Sequence, residues 1–136
     1  MRGYTDGSWD LFHYGHLKML QACADQCDEL IVGVATQRLH KLKKGEIPVI
    51  PFRERMAIIS ALRCVDRAIP HDSLGVEDYA HWMPDIRFIG GDYGGFGQAQ
   101  ADTLKWCEEN GIQVVKIPRT IGVSTSMLKR ELCHRR

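Results

Sequence analysis

Two histidines three residues apart, His13 and His16, flank Gly15 in the run Asp6-Gly7-Ser8-Trp9-Asp10-Leu11-Phe12-His13-Tyr14-Gly15-His16-Leu17. An imidazole can donate a hydrogen bond to a non-bridging phosphoryl oxygen, and a glycine lets the backbone come close to an anion. A short strand pattern precedes the run and a helical pattern follows it. The pair therefore opens a helix, where unsatisfied N–H groups and the positive end of the helix dipole favour an anion. Binding of a phosphate chain is the chemistry these residues suit. A helix cap built from His and Gly is the other reading of the same four residues.

The elements that must hold this loop follow from hydrophobic periodicity. Glu29–Ala35 is mostly apolar, with β-branched Ile31, Val32 and Val34 and no polar alternation, the pattern of a parallel strand buried on both faces. Shorter strands are expected near Gly3–Thr5, Arg67–Ile69, Ile86–Ile89 and Gln113–Ile117. Helices are expected at Gly15–Cys27, Phe52–Leu62, Val76–Trp82, Gln98–Asn110 and Ser124–Leu132, with Gly111 ending one and Ser124 capping another. Lys41–Pro51 reads as a long, mobile loop. Strands alternating with helices make a doubly wound α/β fold with right-handed crossovers, expected as one domain over residues 1–136 with a five-stranded parallel sheet. In the order 3-2-1-4-5 the sheet reverses direction between strands 1 and 4. Ligands bind outside the carboxyl ends of the strands there. The His13/His16 loop and Gly90-Gly91-Asp92 both fall on that crevice.

More of the chain joins the pattern. Lys43-Lys44-Gly45, Arg63-Cys64-Val65-Asp66, Phe88-Ile89-Gly90-Gly91-Asp92 and Arg119-Thr120-Ile121-Gly122-Val123-Ser124-Thr125-Ser126 follow the first run in order. Together they resemble the motifs of the cytidylyltransferase-like nucleotidyltransferase superfamily, whose first motif reads roughly G-x-F-D-x-x-H-x-G-H. Within it the likeness is to the small, single-domain glycerol-3-phosphate cytidylyltransferases, over roughly residues 3 to 132. The chain departs from that pattern in three places. Trp9 stands where Phe is usual, Cys64 replaces an aromatic, and Gly90-Gly91-Asp92-Tyr93 is as similar to sugar-phosphate adenylyltransferases.

The resemblance implies Rossmann-like topology and transfer of CMP from CTP to a small phosphate- or phosphonate-bearing acceptor, with Mg²⁺ and release of pyrophosphate. His13 and His16 would bind the phosphates and stabilise the transition state. Lys44, or Lys43 in its place, would reach over the α- and β-phosphates, and Arg119 would grip the β- and γ-phosphates. Gly7, Ser8, Trp9, Asp10, Gly15, Thr120, Ser124 and Thr125 would line the nucleotide. Asp10 is equally readable as a metal-assisting or a capping carboxylate. Arg63 and Asp66 belong either to the base pocket or to a structural ion pair. Asp92 would meet ribose, base or metal, and Arg55 and Lys43 the acceptor. The metal's ligands are not legible. A homodimer is implied as well. ATP-dependent adenylyl transfer and a non-catalytic nucleotide-binding module are the rival functions.

Composition bounds these readings. The chain has 136 residues, with 18 Lys and Arg against 17 Asp and Glu, a formal net charge of +1. That balance argues against a general nucleic-acid or membrane surface. No run approaches the length of a membrane span, and the first residues lack a signal pattern, so the cytoplasm is the expected location. The five cysteines lack paired metal spacing. They are expected as reduced thiols.

Overall fold

The structure, a computed structural model, describes residues 1–91, 97–118 and 125–134, with side chains in the last segment from 128 to 133. Five strands, β1 (Arg2–Gly7), β2 (Glu29–Ala35), β3 (Arg67–His71), β4 (Ile86–Gly90) and β5 (Gln113–Ile117), form one parallel sheet in the order β3-β2-β1-β4-β5. This is the predicted doubly wound order. In register, Gly3 lies between Leu30 of β2 and Ile86 of β4.

Alternation along the strands divides the core in two. Leu30, Val32 and Val34 of β2, with Ile86 and Phe88 of β4, pack against Leu20 and Cys23 of α1 (Tyr14–Ala24) and Ile59 of α3 (Phe52–Ala61). On the opposite face Tyr4 and Ile31 pack against Tyr79, with Trp106 of α4 (Gln98–Glu109) at the edge. Gly3 allows the first face to close, because a Cβ there would lie 2.5 Å from the Phe88 ring.

Gly111 ends α4 with φ 70°, as predicted. α5 (Thr125–His134) closes the described chain; the proposed cap at Ser124 lies outside the described residues. Among the described residues no helix is long and apolar enough to cross a membrane.

Two predicted elements are corrected. Lys41–Pro51 is not one long loop: Gln37–Lys44 is a helix, α2, capped at its start by Thr36 Oγ1 on the Leu39 amide and ended by Gly45 with φ 81°. Val76–Trp82 is not an α-helix but a single 3₁₀ turn, Ala80–Trp82. The Asp78 carboxylate is occupied upstream, accepting from the amides of Asp72 and Ser73, which favours a turn over helix continuation. α1 also stops at Ala24, three residues early, because Asp25 caps it and the chain turns toward β2.

Candidate active site

The first loop leaves the carboxyl end of β1 under strain. Trp9 and Leu11 both take left-handed backbone conformations, with φ 58° and 50°. Such conformations cost about 1–3 kcal/mol each and persist only where the surroundings enforce them. Trp9 provides part of that enforcement: its ring is buried and its Nε1 donates to the Gly33 carbonyl at 2.9 Å. Gly7 lies beneath it, where a Cβ would approach the Trp9 ring to 3.1 Å.

The loop delivers His13 as the N-cap of α1. Its Nδ1 accepts from the amides of Gly15 at 3.0 Å and His16 at 3.4 Å, while His16 Nδ1 accepts from the His13 amide at 3.3 Å. The two imidazoles thus build a reciprocal capping box in place of the usual hydroxyl and carboxylate. Their rings stack at 3.8 Å, and His16 meets the Trp9 ring edge-on at 5.4 Å. Because each Nδ1 accepts, each neutral ring carries its proton on Nε2. Burial lowers the pKa of His13 and pushes His16 down to about 4, with His13 adding to the latter and Asp10 opposing it. The capping reading of the motif therefore holds: the histidines cap the helix through Nδ1, and the cap leaves the Nε2–H of each ring unused.

Around this pair the chain gathers cations and buried polar atoms. Asp10 is buried and accepts from the amides of Val49 and Ile50 at 2.9 Å each, so it ties down the segment after α2. Lys129 of α5 reaches over that segment, 3.9 Å from Asp10 and 3.3 Å from Glu46. Arg55, fully buried in α3, donates to the carbonyls of Ser8, Ala35 and Ile50 at 2.7, 2.7 and 2.8 Å. It clamps the loop after β1, the end of β2 and the segment after α2 together. Ser8 Oγ hydrogen-bonds to Nδ1 of buried His40 in α2. Three buried polar atoms here, His13 Nε2, His40 Nε2 and Arg55 Nη2, have no hydrogen-bond partner among the described residues. Unpaired buried polar atoms are costly, and an anion would satisfy the donors among them, Arg55 Nη2 and His13 Nε2–H.

α2 separates the two lysines. Lys44 lies one helical turn after His40, on the same face of the helix. Lys43 points elsewhere, its Nζ 3.2 Å from Nε2 of His71 at the end of β3. Burial lowers its pKa, and Asp6 opposes that. Gly7, Ser8, Trp9, Asp10, His13, Gly15, His16, Lys44 and Arg55 thus share one end of the sheet. Arg63 and Asp66 do not. Asp66 accepts from the Leu30 amide at 2.7 Å, at the amino end of β2, and exposed Arg63 precedes it. That puts them at the amino ends of the strands, the opposite end of the sheet from the His13/His16 loop, and, of their two expected places, not in the nucleotide pocket. Asp92, Arg119, Thr120 and Ser124 lie outside the described residues. Thr125 begins α5, and its side chain is likewise outside them.

Sequence reasoning did not single out Asp6, His40, His71 or Lys129. The one local signal is Thr36 followed by an amphipathic Leu39-His40 step, which marks α2 and would have placed His40 beside Lys44. The others meet partners remote in sequence, and spacing does not encode such contacts.

Among the described residues no group of three or more His, Cys, Asp and Glu is arranged to hold a metal ion. Burial raises the Cys23 thiol to about 12, which makes it a core residue and not a ligand.

Comparison with known proteins identifies the family. The glycerol-3-phosphate cytidylyltransferase of Staphylococcus aureus is 30% identical over 96% of this chain and 94% of its own length. The bifunctional protein HldE of Hyphomonas neptunium is 31% identical over 93% of this chain, which spans 26% of that longer protein. Among solved structures, the lipopolysaccharide core biosynthesis protein of Thermoplasma volcanium superposes with a TM-score of 0.71 at 30% identity, covering 88% of this chain and 96% of that one. The family model described as cytidylyltransferase-like matches residues 4–131. That match runs from β1 into α5 and takes in the His13/His16 cap, and on it the chain belongs to the cytidylyltransferase-like family of nucleotidyltransferases.

Proposed function

We propose that the protein transfers CMP from CTP to a small phosphate- or phosphonate-bearing acceptor resembling glycerol 3-phosphate, releasing pyrophosphate. The observation that carries this reading is the stacked His13/His16 pair, whose Nδ1 atoms cap α1 and whose Nε2–H donors remain for phosphoryl oxygens. An acceptor oxygen attacks the α-phosphorus, and pyrophosphate leaves in line. The nucleophile is already anionic, so no covalent residue is needed; the work is positioning and stabilising charge on the equatorial oxygens. The imidazoles supply preorganised donors for that charge. Lys44, carried by a helix and not by a free loop, supplies a cation nearby.

Mg²⁺ belongs to this reading as part of the substrate, entering as the CTP complex. Magnesium is commonly bound through substrate phosphates with one or two carboxylates. CTP is favoured by the full-length likeness to glycerol-3-phosphate cytidylyltransferases. ATP-dependent adenylyl transfer is the second reading, favoured by the sequence Gly90-Gly91-Asp92-Tyr93.

Pyrophosphate release by the purified protein, with each of four nucleoside triphosphates and a panel of small phosphate esters and phosphonates, decides among these. CTP should support turnover and His16→Ala should reduce it about 10²-fold or more, the scale for losing one transition-state donor. Turnover with ATP alone would move the protein to the second reading. Turnover undiminished in His16→Ala would overturn the role given to the pair.

A further inference from the structure

Charged side chains on the face of the sheet opposite α1 are matched within the core. Asp6 lies 3.1 Å from Arg87 and 3.6 Å from His71, which in turn meets Lys43 at 3.2 Å. Lys129, which α5 brings to the crevice, is held differently. Its side chain is 32% exposed, and its two acidic neighbours differ: Asp10 is 2% exposed and Glu46 67%. Asp10 takes the Val49 and Ile50 amides at 2.9 Å each, whereas Lys129 stands 3.9 Å off, beyond hydrogen-bond distance. Glu46 accepts from Lys129 Nζ at 3.3 Å, where water screens both charges. Surface ion pairs of this kind are weak, and ordering a lysine side chain costs entropy. Stability of the fold therefore explains little of why Lys129 is held there.

The surrounding charge gives the better reason. His40 of α2 is buried, and its Nε2 has no partner among the described residues. Burial lowers the pKa of this ring, Asp10 opposes that, and Arg55, Lys129 and Lys44 add to the lowering. Cations from α2, α3 and α5 thus bear on one buried ring at the mouth of the crevice. Gathering like charges is unfavourable in itself, and a polyanion would relieve it. Lys129 also lies one helical turn after Thr125, the first residue of α5, and on the same face of the helix.

We propose that Lys129 is a ligand of the nucleotide's triphosphate, parked on Glu46 in the free enzyme and transferred to the phosphates as the nucleotide enters, so that Glu46 competes with the nucleotide for it. The inference rests on the transferase reading above and deepens it.

Isothermal titration of the full chain with Mg²⁺ and CTP, ATP or CMP tests it, with pyrophosphate release followed in parallel. Lys129→Gln should raise the Kd of the favoured triphosphate about tenfold, the scale for losing a hydrogen bond to a charged group. The Kd of CMP should change less than about twofold, since CMP carries little of the charge that draws Lys129 off Glu46, whereas a general loosening of α5 would weaken both ligands. Lys129→Arg, which keeps the charge, should bind within about threefold of wild type. Glu46→Gln should bind the triphosphate about threefold more tightly, the scale of a surface ion pair no longer broken. In the Lys129→Gln background that gain should vanish, because a Glu46 that merely repelled anions would keep it. Wild-type affinity in Lys129→Gln, equal losses for triphosphate and CMP, or a Glu46→Gln gain that persists in the double variant overturns the inference. So does weaker binding in Glu46→Gln, which alone decides if Lys129→Gln does not fold. Any of these with wild-type turnover leaves the transferase reading intact. Wild-type protein that binds neither triphosphate defeats the transferase reading and the inference together.

Discussion

Both Nδ1 atoms of the His13/His16 pair are occupied by backbone amides of the same helical turn, so protonating either ring there would break the cap. This makes the pair a pH-dependent structural element as well as a donor set. The His16 pKa falls from 6.5 in the open chain to about 4 in the fold, mainly through burial. Between those values the unfolded chain binds a proton that the native state does not, so stability rises with pH across that interval. The contribution is full above about pH 6.5 and is lost as the pH falls toward 4, amounting to at most about 3 kcal/mol. His16→Gln isolates it, because glutamine at this position can still close the capping box but cannot titrate. Urea denaturation at pH 7, 5.5 and 4.5 should show a shallower loss of stability in the variant than in the wild type. Equal slopes would mean that His16 does not titrate in the fold as its burial implies. The pair was legible in the sequence because its partners are its own neighbours, within four residues. The Asp6–His71–Lys43 group was not, because its members come from three elements and meet only when the sheet forms.

Elements were legible in proportion to how far their own residues dictate them. β2 announces itself, since a short apolar run with no polar alternation, rich in Ile and Val, is the pattern of a strand buried on both faces of a parallel sheet. α2 was hidden by Lys41, Lys43 and Lys44, whose charge makes the segment read as solvated loop. Its basic last turn is instead what the negative end of a helix favours, and Gly45 closes it. The consequence reaches the site, because the lysines sit on a helix whose following segment is held by Asp10 and Arg55. Asp10→Asn keeps the size of the side chain but replaces one accepting oxygen with a donor facing an amide. It should cost about 2–4 kcal/mol, the range for losing buried hydrogen bonds to a charged acceptor and leaving an amide unpaired. Denaturant midpoints measure that cost. Trypsin cleavage after Lys44 should also accelerate in the variant, since the released segment would open without global unfolding. Unchanged stability and cleavage would show that Arg55 alone holds the segment.

At the scale of the molecule, the crevice is assembled from chain-distant parts: Ser8 and His13 after β1, His40 and Lys44 from α2, Arg55 from α3 and Lys129 from α5. No shorter piece of the chain contains it, so an anion bound there ties together elements that unfolding separates. A ligand that binds only the native state stabilises by RT ln(1 + [L]/Kd), about 2.7 kcal/mol at a hundredfold excess over Kd. For a chain of this size that corresponds to a rise in melting temperature of very roughly 10 °C. Thermal melts with Mg²⁺ and CTP, ATP, CMP or pyrophosphate should therefore show a large rise with the cognate triphosphate and a smaller one with CMP, which lacks the β- and γ-phosphates. In His16→Gln the rise with triphosphate should be reduced, because the cap persists while the phosphate loses a donor. A cognate triphosphate that leaves the melting temperature unmoved would mean that the unpaired donors around Ser8 and His13 are not where the phosphates bind. The choice between CTP and ATP is then read from the same melts, independently of the acceptor and of turnover.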